Sequence, residues 1–368
     1  MPKFTPFDFE MMSRAIQLAK RGIYTTAPNP NVGCVIVNDG HIVGEGYHHK
    51  AGEPHAEVHA MRMAGEQAKG STAYVTLEPC SHYGRTPPCA EGLIKAQVSK
   101  VICAMVDPNP QVAGRGIAML QDAGITVEVG LLEQDANDLN PAFIKKMKTG
   151  MPFVQLKMAA SLDGQTALSN GESQWITSSE ARRDVQHFRA KAGAVLSTSQ
   201  TVIDDNASLN VRWEDFSTNL KSQYFKDALR QPVRIILDRQ NKLTPELKIF
   251  RSESAVLRVA ESNADIHVTA SDKGLDLEAL FSQLPAHHID HVWVEAGATL
   301  AKSLMEAQLV DELILYLAPK LMGSDGRGLM GALGLDSMSE VIDLDISDLR
   351  MVGPDIRIIA KPRWKASN

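Results

Sequence analysis

His55, Glu57, Cys80 and Cys89 are the residues of this sequence whose types and spacing suit them for chemistry. One histidine and two cysteines are donors that zinc prefers, and three protein ligands leave a tetrahedral ion one open position, the mark of a catalytic site. Zinc lowers the pKa of a water in that position to about 7, which makes a nucleophile available at neutral pH. Such a nucleophile can attack an amino-bearing ring carbon of a pyrimidine or purine. Glu57 is not needed as a ligand, so its carboxylate can take the water proton and pass it to departing ammonia. The order His-x-Glu, then Pro-Cys, then a further Cys fits hydrolytic base deamination. Buried cysteines are more often plain apolar side chains, but the combined pattern argues against that reading. His59 lies four residues after His55. The order His-x-Glu-x-His is not the His-Glu-x-x-His of metalloproteases, so His59 reads as a helix-face residue.

The elements that must position these residues follow from periodicity. Residues 55–68 read as an amphipathic helix whose first turn carries His55 and Glu57, after a Gly52-Glu53-Pro54 turn. Residues 73–78 read as a buried strand, which Pro79-Cys80 ends. Cys89 follows Pro87-Pro88 and so opens the next helix, where a thiolate is favoured. Around them stand a helix at 8–21, strands at 32–37 and 41–47 joined by an Asn38-Asp39-Gly40 turn, a strand at 100–106, a helix after Gly116, a strand at 125–129 and a helix over 133–148. This pattern predicts an α/β sandwich with helices on both faces of a mixed sheet. The basic stretch 145–152, ending in Gly and Pro, divides the chain into residues 1–148 and 149–368. In the second part, strands are expected at 153–159, 193–197, 233–237, 255–259, 266–269, 291–295 and 312–318. Helices are expected at 178–191, 276–284 and 298–307, with an antiparallel tail at 341–349 and 355–361. The polar stretch 213–231 reads as a loop excursion.

Composition bounds the partners. A length of 368 residues favours two domains, and 44% hydrophobic with 22% charged residues is ordinary for a soluble globular protein. A net charge of −6 argues against wrapping a long nucleic acid, but leaves room for a small phosphorylated substrate. Cys34 and Cys103 sit in apolar runs and read as core, not as a disulfide framework. There is no signal-peptide pattern and no apolar run of roughly 18 residues, so no membrane span is expected and the cytoplasm is the default location.

The second part is chemically less explicit. No Gly-x-Gly-x-x-Gly follows its first strand, so a dinucleotide-binding Rossmann domain is not supported. Residues 295–300 place a glycine turn before a helix, where backbone N–H groups can receive an anion. The run Gly323-Ser324-Asp325-Gly326-Arg327-Gly328 is either a second anion loop or a plain turn. Thr201, Asp204 and Asp205 form a polar cluster near the end of a short helix.

Several segments together resemble a known family. They are Pro28-Asn29-Pro30-Asn31-Val32-Gly33, His55-Ala56-Glu57, the stretch from Glu78-Pro79-Cys80 to Cys89, Asp107-Pro108-Asn109-Pro110, Ser161-Leu162-Asp163-Gly164, Gly171–Thr177 and Val294-Glu295-Ala296-Gly297. Over nearly the whole chain they resemble the bifunctional deaminase/reductases of riboflavin biosynthesis. The resemblance implies a cytidine-deaminase-like α/β/α sandwich followed by a dihydrofolate-reductase-like α/β domain. It implies zinc-dependent hydrolysis of the 2-amino group of a phosphoribosylamino-pyrimidine, then NADPH reduction of its ribosyl chain to ribityl. His55, Cys80 and Cys89 match the zinc ligands and Glu57 the proton shuttle. Asn29 and Asn31 match pyrimidine-facing positions, or are turn-forming residues before proline. Ser173, Arg189, Leu209, Arg212 and Glu295 match substrate contacts, the two arginines suiting a ribose 5-phosphate. Ala159, Trp175, Thr201, Asp205, Arg239 and the turn Gly297, Ala298, Thr299, Leu300, Ala301, Lys302, Ser303 match NADPH contacts. Arg239 is either the partner of the 2′-phosphate or a solvated turn residue. Lys157 and Asp205 are the candidates for moving protons as the sugar ring opens. Departures are Ala298, where related enzymes often have Pro, and Ala159, where Gly is common. A homodimer is the family expectation. A deaminase of free bases, nucleosides or tRNA, and a zinc-stabilised nucleotide sensor, remain as rival readings.

Overall fold

The computed structural model describes residues 3–83, 87–110, 112–272 and 274–365. The chain divides into two compact units, residues 1–150 and 151–368. The first contains α1 (Pro6–Ala19), β1 (Gly33–Asn38), β2 (His41–Tyr47), α2 (Ala56–Ala64), β3 (Thr72–Val75), α3 (Cys89–Lys95), β4 (Lys100–Cys103), α4 (Arg115–Asp122), β5 (Thr126–Val129), α5 (Glu133–Leu139) and α6 (Pro141–Thr149). Among the described residues its sheet runs β2-β1-β3-β4-β5. β1 is antiparallel to both its neighbours, while β3, β4 and β5 are parallel. Strand residues alternate between the two faces. Cys34, Ile36, Val75 and Cys103 pack under α2, α3 and α4. Val35, Val37, Tyr74 and Ile102 pack under α1 and α5. The result is a helix–sheet–helix sandwich.

Four elements differ from their sequence-based expectation. β3 and β4 stop at Val75 and Cys103, because the chain leaves the sheet there to build the site. α2 ends at Ala64 and continues only as a 3₁₀ turn to Ala68. The helix expected over 133–148 is two helices, broken at Asn140 (φ −133°, ψ 42°). Pro141 lacks an N–H and keeps the residue before it out of the helical region.

The second unit contains β6 (Phe153–Ser161), β7 (Gln165–Ala167), α7 (Ser179–Lys191), β8 (Ala194–Thr198), α8 (Ser199–Asp205), α9 (Thr218–Gln223), β9 (Val233–Leu237), β10 (Val256–Ala260), β11 (Ile266–His267), β12 (Ala270–Ser271), β13 (Gly274–Leu275), α10 (Leu277–Gln283), β14 (His291–Glu295), α11 (Ala298–Glu306), β15 (Glu312–Ala318), β16 (Arg327–Gly328), β17 (Leu344–Val352) and β18 (Asp355–Pro362). Its main sheet runs β11-β10-β9-β8-β14-β6-β15-β18-β17 among the described residues. β11 through β15 in that order are parallel. β18 and β17 close the edge antiparallel. The strand expected at 266–269 shrinks to Ile266–His267. The excursion at 213–231 is not featureless: it holds α9 between two short 3₁₀ turns. β8, β14 and β6 lie side by side with their carboxyl ends together, which is where parallel sheets bind ligands.

Candidate active sites

In the first unit, α2 lies directly on β2. A Cβ on Gly44 would stand 2.2 Å from the Ala60 carbonyl oxygen, and one on Gly46 2.3 Å from that of Ala56. Ala56, Ala60 and Ala64 face the same way and are 0–5% exposed. Small residues on both sides set the depth of the helix and hence of its start. His55 is the N-cap residue of α2, and Cys89 is the first residue of α3 after Pro88. Cys80 follows the end of β3. The Nδ1 of His55 is 3.6 Å from the Cys80 Sγ and 3.3 Å from the Cys89 Sγ. All three donor atoms lie within 4.8 Å of one another. A tetrahedral zinc, with bonds of roughly 2.3 Å to sulfur and 2.0 Å to nitrogen, holds such donors roughly 3.5 Å apart. The residues therefore fit the ion.

Cys80 is the sulfur best held as thiolate. The Cys89 thiol favours its charge against the cost of burial, and His55 and the Cys89 N–H at 3.3 Å add to this, lowering it below the ordinary thiol value. Glu57, one turn into α2, is 3% exposed. Burial first, then the neighbouring Cys80 charge, pushes its carboxyl up to about 7. Its Oε2 is buried with no hydrogen-bond partner among the described residues. A buried carboxyl with one free oxygen, titrating near neutrality beside a metal cluster, is suited to moving protons. His59 stands apart from the donors and stacks on His49, ring centroids 4.2 Å apart.

Asn29 and Asn31 have different surroundings. His48, 2% exposed, meets the Pro54 carbonyl through Nδ1 at 3.1 Å. That contact requires Nδ1 to carry the proton, so Nε2 accepts from the Asn29 amide at 3.1 Å. The His48 ring packs edge-on against His55, centroids 5.5 Å apart. Asn29 is thereby tied to the metal cluster through His48, a residue without any motif to mark it. Asn31 is engaged elsewhere. Its Oδ1 accepts from Thr26 at 2.8 Å, and its amide donates to Leu139 and Asn140 at 3.1 Å each. Asn140, the residue at which the chain breaks between α5 and α6, returns a bond to the Asn31 carbonyl at 2.9 Å. Glu78 precedes the Pro79-Cys80 pair. Its buried carboxylate accepts four backbone N–H groups, from Asp107, Gly114, Gly116 and Ile117. It thus fixes the start of α4 against the Pro79-Cys80 loop. Gly84–Thr86 of the Cys80–Cys89 loop lie outside the described residues.

In the second unit, Lys157 on β6 and Glu295 on β14 are register partners. Arg189, near the end of α7, grips Glu295 with Nε to Oε1 at 2.6 Å and Nη2 to Oε2 at 2.9 Å. Trp293 adds an indole N–H at 2.9 Å. Burial opposes the Glu295 charge, but Arg189 above all, with Lys157 and Trp293, holds the carboxyl down at about 2. Lys157 is pulled below its ordinary value by burial, against the attraction of Glu295. In this structure the Arg189 fork is engaged by Glu295, and Nη1 donates to the Asn210 carbonyl at 2.8 Å. Arg212 remains more open, with 47% of its side chain exposed and Nε on Asp215 at 2.6 Å.

Asp205 accepts from Gln174 at 2.5 Å, which links it to exposed Ser173 and Trp175. Lys320 donates to the Trp175 carbonyl at 2.7 Å, and the Arg182 guanidinium lies 4.5 Å from the Trp175 ring centroid. Lys320 and Arg182 carried no signal in the sequence, and Gln174 only as part of the Gly171–Thr177 segment. Ala159 shares the Lys157 face of β6. Thr201 sits in the first turn of α8, its N–H capped by Thr198 at 3.2 Å. Gly297 is the N-cap of α11. Leu300 and Ala301 point into the core, 7% and 0% exposed, as does Leu209 at 3%. Thr299, Lys302 and Ser303 line a cavity of about 980 Å³ with the β12–β13 ribbon. Arg239 is exposed in a turn closed by an Asn241 N–H to Asp238 carbonyl bond of 2.9 Å. The Gly323–Gly328 run is an anchored turn. Asp163 takes the Gly323 N–H at 2.8 Å, and Arg327–Gly328 pairs with β7.

Comparison with known proteins finds a family match in each unit. Residues 6–105 match the cytidine and deoxycytidylate deaminase zinc-binding region, and residues 152–358 match the RibD C-terminal domain. The riboflavin biosynthesis protein RibD of Escherichia coli (strain K12) is 54% identical over 94% of this chain and 96% of its own length. That of Haemophilus influenzae is 53% identical over 99% of this chain and 100% of its own length. The structure of Acinetobacter baumannii RibD, form 1, superposes with a TM-score of 0.90 at 47% identity, covering 97% of this chain and 99% of that one. A Thermotoga maritima structure, titled as a diaminohydroxyphosphoribosylaminopyrimidine deaminase/5-amino-6-(5-phosphoribosylamino)uracil reductase, gives 0.84 at 33% identity over 97% and 99%. Fold and sites together define a two-unit enzyme, a zinc-dependent deaminase joined to an NADPH-dependent reductase. The chain belongs to the RibD family, the bifunctional deaminase/reductases of riboflavin biosynthesis.

Proposed function

We propose that the first unit hydrolyses the 2-amino group of 2,5-diamino-6-(5-phosphoribosylamino)pyrimidin-4(3H)-one. The second unit then reduces the product to 5-amino-6-(5-phosphoribitylamino)uracil. The observation that carries the first step is the unpartnered Oε2 of Glu57 beside the His55–Cys80–Cys89 donors. Zinc held by those three residues supplies Lewis acidity toward water. Glu57 takes up a proton at its free oxygen and returns it to the leaving amine. His48, held neutral by burial, accepts from the Asn29 amide and so orients that side chain toward the pyrimidine. In the reductase unit, NADPH supplies the hydride when bound. Glu295, kept anionic by Arg189 and Trp293, orients the sugar hydroxyls. Lys157 and Asp205 hold and move protons at Nζ and at the carboxylate as the ring opens. Arg212 receives the ester phosphate.

The test is incubation of the protein with the diaminopyrimidine, with and without NADPH. Ammonia is released in both cases, and NADPH is consumed only after ammonia appears. Turnover of cytidine, guanine or tRNA at a comparable rate would overturn the substrate assignment. We also propose a homodimer and a cytoplasmic location. The dimer is supported by β17, an edge strand whose Ile346, Leu349 and Met351 are 61–62% exposed. Exposed apolar edges invite a second strand. Leu349→Asp shifting the sedimentation of the protein to monomer would support that edge as the interface; an unchanged dimer would exclude it. Among the described residues no helix is long and apolar enough to cross a membrane.

A further inference from the structure

The backbone of residues 209–212 is held by side chains that come from far away in the sequence. The Gln231 amide pairs with both polar groups of Val211: its Oε1 accepts the Val211 N–H at 2.8 Å and its Nε2 donates to the Val211 carbonyl at 3.0 Å. Gln186, on α7 and 1% exposed, accepts the Arg212 N–H at 2.9 Å. Arg189, one turn further along α7, donates to the Asn210 carbonyl at 2.8 Å while its other donors grip Glu295. Three consecutive residues are therefore fixed by partners outside any helix or sheet ladder. The segment is also strained. Leu209 has φ 52°, in the left-handed region that a branched side chain avoids. Such a conformation persists only where the surroundings over-determine it. Asn210, Val211, Arg212, Trp213 and Gln231 line a cavity of about 670 Å³. Arg212 and Lys226 are the basic side chains among the residues lining that space, beside Glu214, Asp227 and Glu253.

The geometry points to Gln231, seconded by Gln186, as a positioning residue of the reductase site: it fixes Val211 so that Arg212 is presented to the ester phosphate of the substrate. This rests on the proposed reading of Arg212 as the phosphate contact. A guanidinium binds phosphate through paired donors of fixed direction, so an error in the backbone direction at Arg212 costs binding without touching the reacting carbon. Gln231 acts through Val211 and meets no substrate atom itself. It also divides the labour of the two arginines, with Arg189 neutralising Glu295 and bracing the segment while Arg212 faces the ligand.

The experiment compares two substrates of the full-length protein, 5-amino-6-(5-phosphoribosylamino)uracil and its dephosphorylated riboside, by NADPH oxidation. In Gln231→Ala, KM for the phosphorylated substrate rises about tenfold with kcat little changed, because a ground-state contact is lost. Kinetics with the riboside do not move. In an Arg212→Ala background, adding Gln231→Ala has no further effect, since residues acting through one another are not additive. Gln231→Glu keeps the acceptor for the Val211 N–H and loses the donor, so it falls between; it also carries the test if the alanine variant fails to fold. Equal losses on both substrates, full additivity with Arg212→Ala, or no change in KM would each overturn the inference. An unmodified protein that handles both substrates alike refutes the phosphate reading itself, and the inference with it, before any Gln231 variant is made.

Discussion

Arg189 and Glu295 stand 106 positions apart in the chain and meet as a two-pronged ion pair, with side chains only 9% and 16% exposed. Removing one partner of such a pair strands a buried charge, which typically costs about 3–5 kcal/mol. Glu295→Gln is therefore expected to destabilise the reductase unit by about that amount. The four tryptophans, Trp175, Trp213, Trp293 and Trp364, all lie beyond residue 150, so tryptophan fluorescence during urea unfolding reports this unit alone. An unchanged midpoint would show that solvent, not Arg189, pays for the Glu295 charge.

The same carboxylate makes stability depend on pH. Held at about 2 against an ordinary value of 4.5, Glu295 contributes about 3 kcal/mol that is fully present above pH 4.5. Because its folded value is depressed, that contribution is lost as pH falls from about 4.5 toward 2. The stability gap between the unmodified protein and Glu295→Gln should therefore narrow over this window. A gap that stays constant from pH 6 to pH 3 would contradict the assignment.

Glu57→Gln is expected to lower deamination about 10²–10⁴-fold while zinc stays bound, since glutamine fills the same space and cannot accept a proton. Cys89→Ala is expected to lose both zinc and deamination. Both variants still reduce the pre-deaminated pyrimidine with NADPH. Metal analysis together with the two separate assays reads each result. Full deamination by Cys89→Ala would remove that sulfur from the metal site.

Arg239→Ala is expected to raise KM for NADPH and leave KM for NADH nearly unchanged, because a guanidinium is suited to the 2′-phosphate that only NADPH carries. Steady-state kinetics with both cofactors decide. Equal effects, or none, would return Arg239 to the solvated turn in which it stands.

Residues 149–368 expressed alone are expected to fold and oxidise NADPH with the deaminated substrate, since the second unit has its own core around β6, β14 and α11. Circular dichroism and the reductase assay test this. An insoluble fragment would make the two units one cooperative body.

The zinc cluster was legible in the sequence because its chemistry is local. His55, Glu57, Cys80 and Cys89 fall within 35 residues; His55, Glu57 and Cys89 sit at helix starts and Cys80 in the loop after β3, places that Gly, Pro and apolar periodicity announce. The alternation of strands and helices was readable for the same reason, although β3, β4 and the 133–148 helix were drawn too long. Their limits depend on Glu78, Pro141 and the Asn31–Asn140 pair, none of which alters the apolar pattern. The sequence by itself thus determined the ligand set, the order of elements and the likeness to a family. Only the tertiary structure decided that Arg189 pairs with Glu295, that His48 joins Asn29 to the metal site, that Leu300 and Ala301 turn into the core, and that Gln231 clamps Val211. The physical reason is that periodicity records which side of an element is buried, whereas the partner of a buried polar group is whichever donor or acceptor packing brings within about 3 Å.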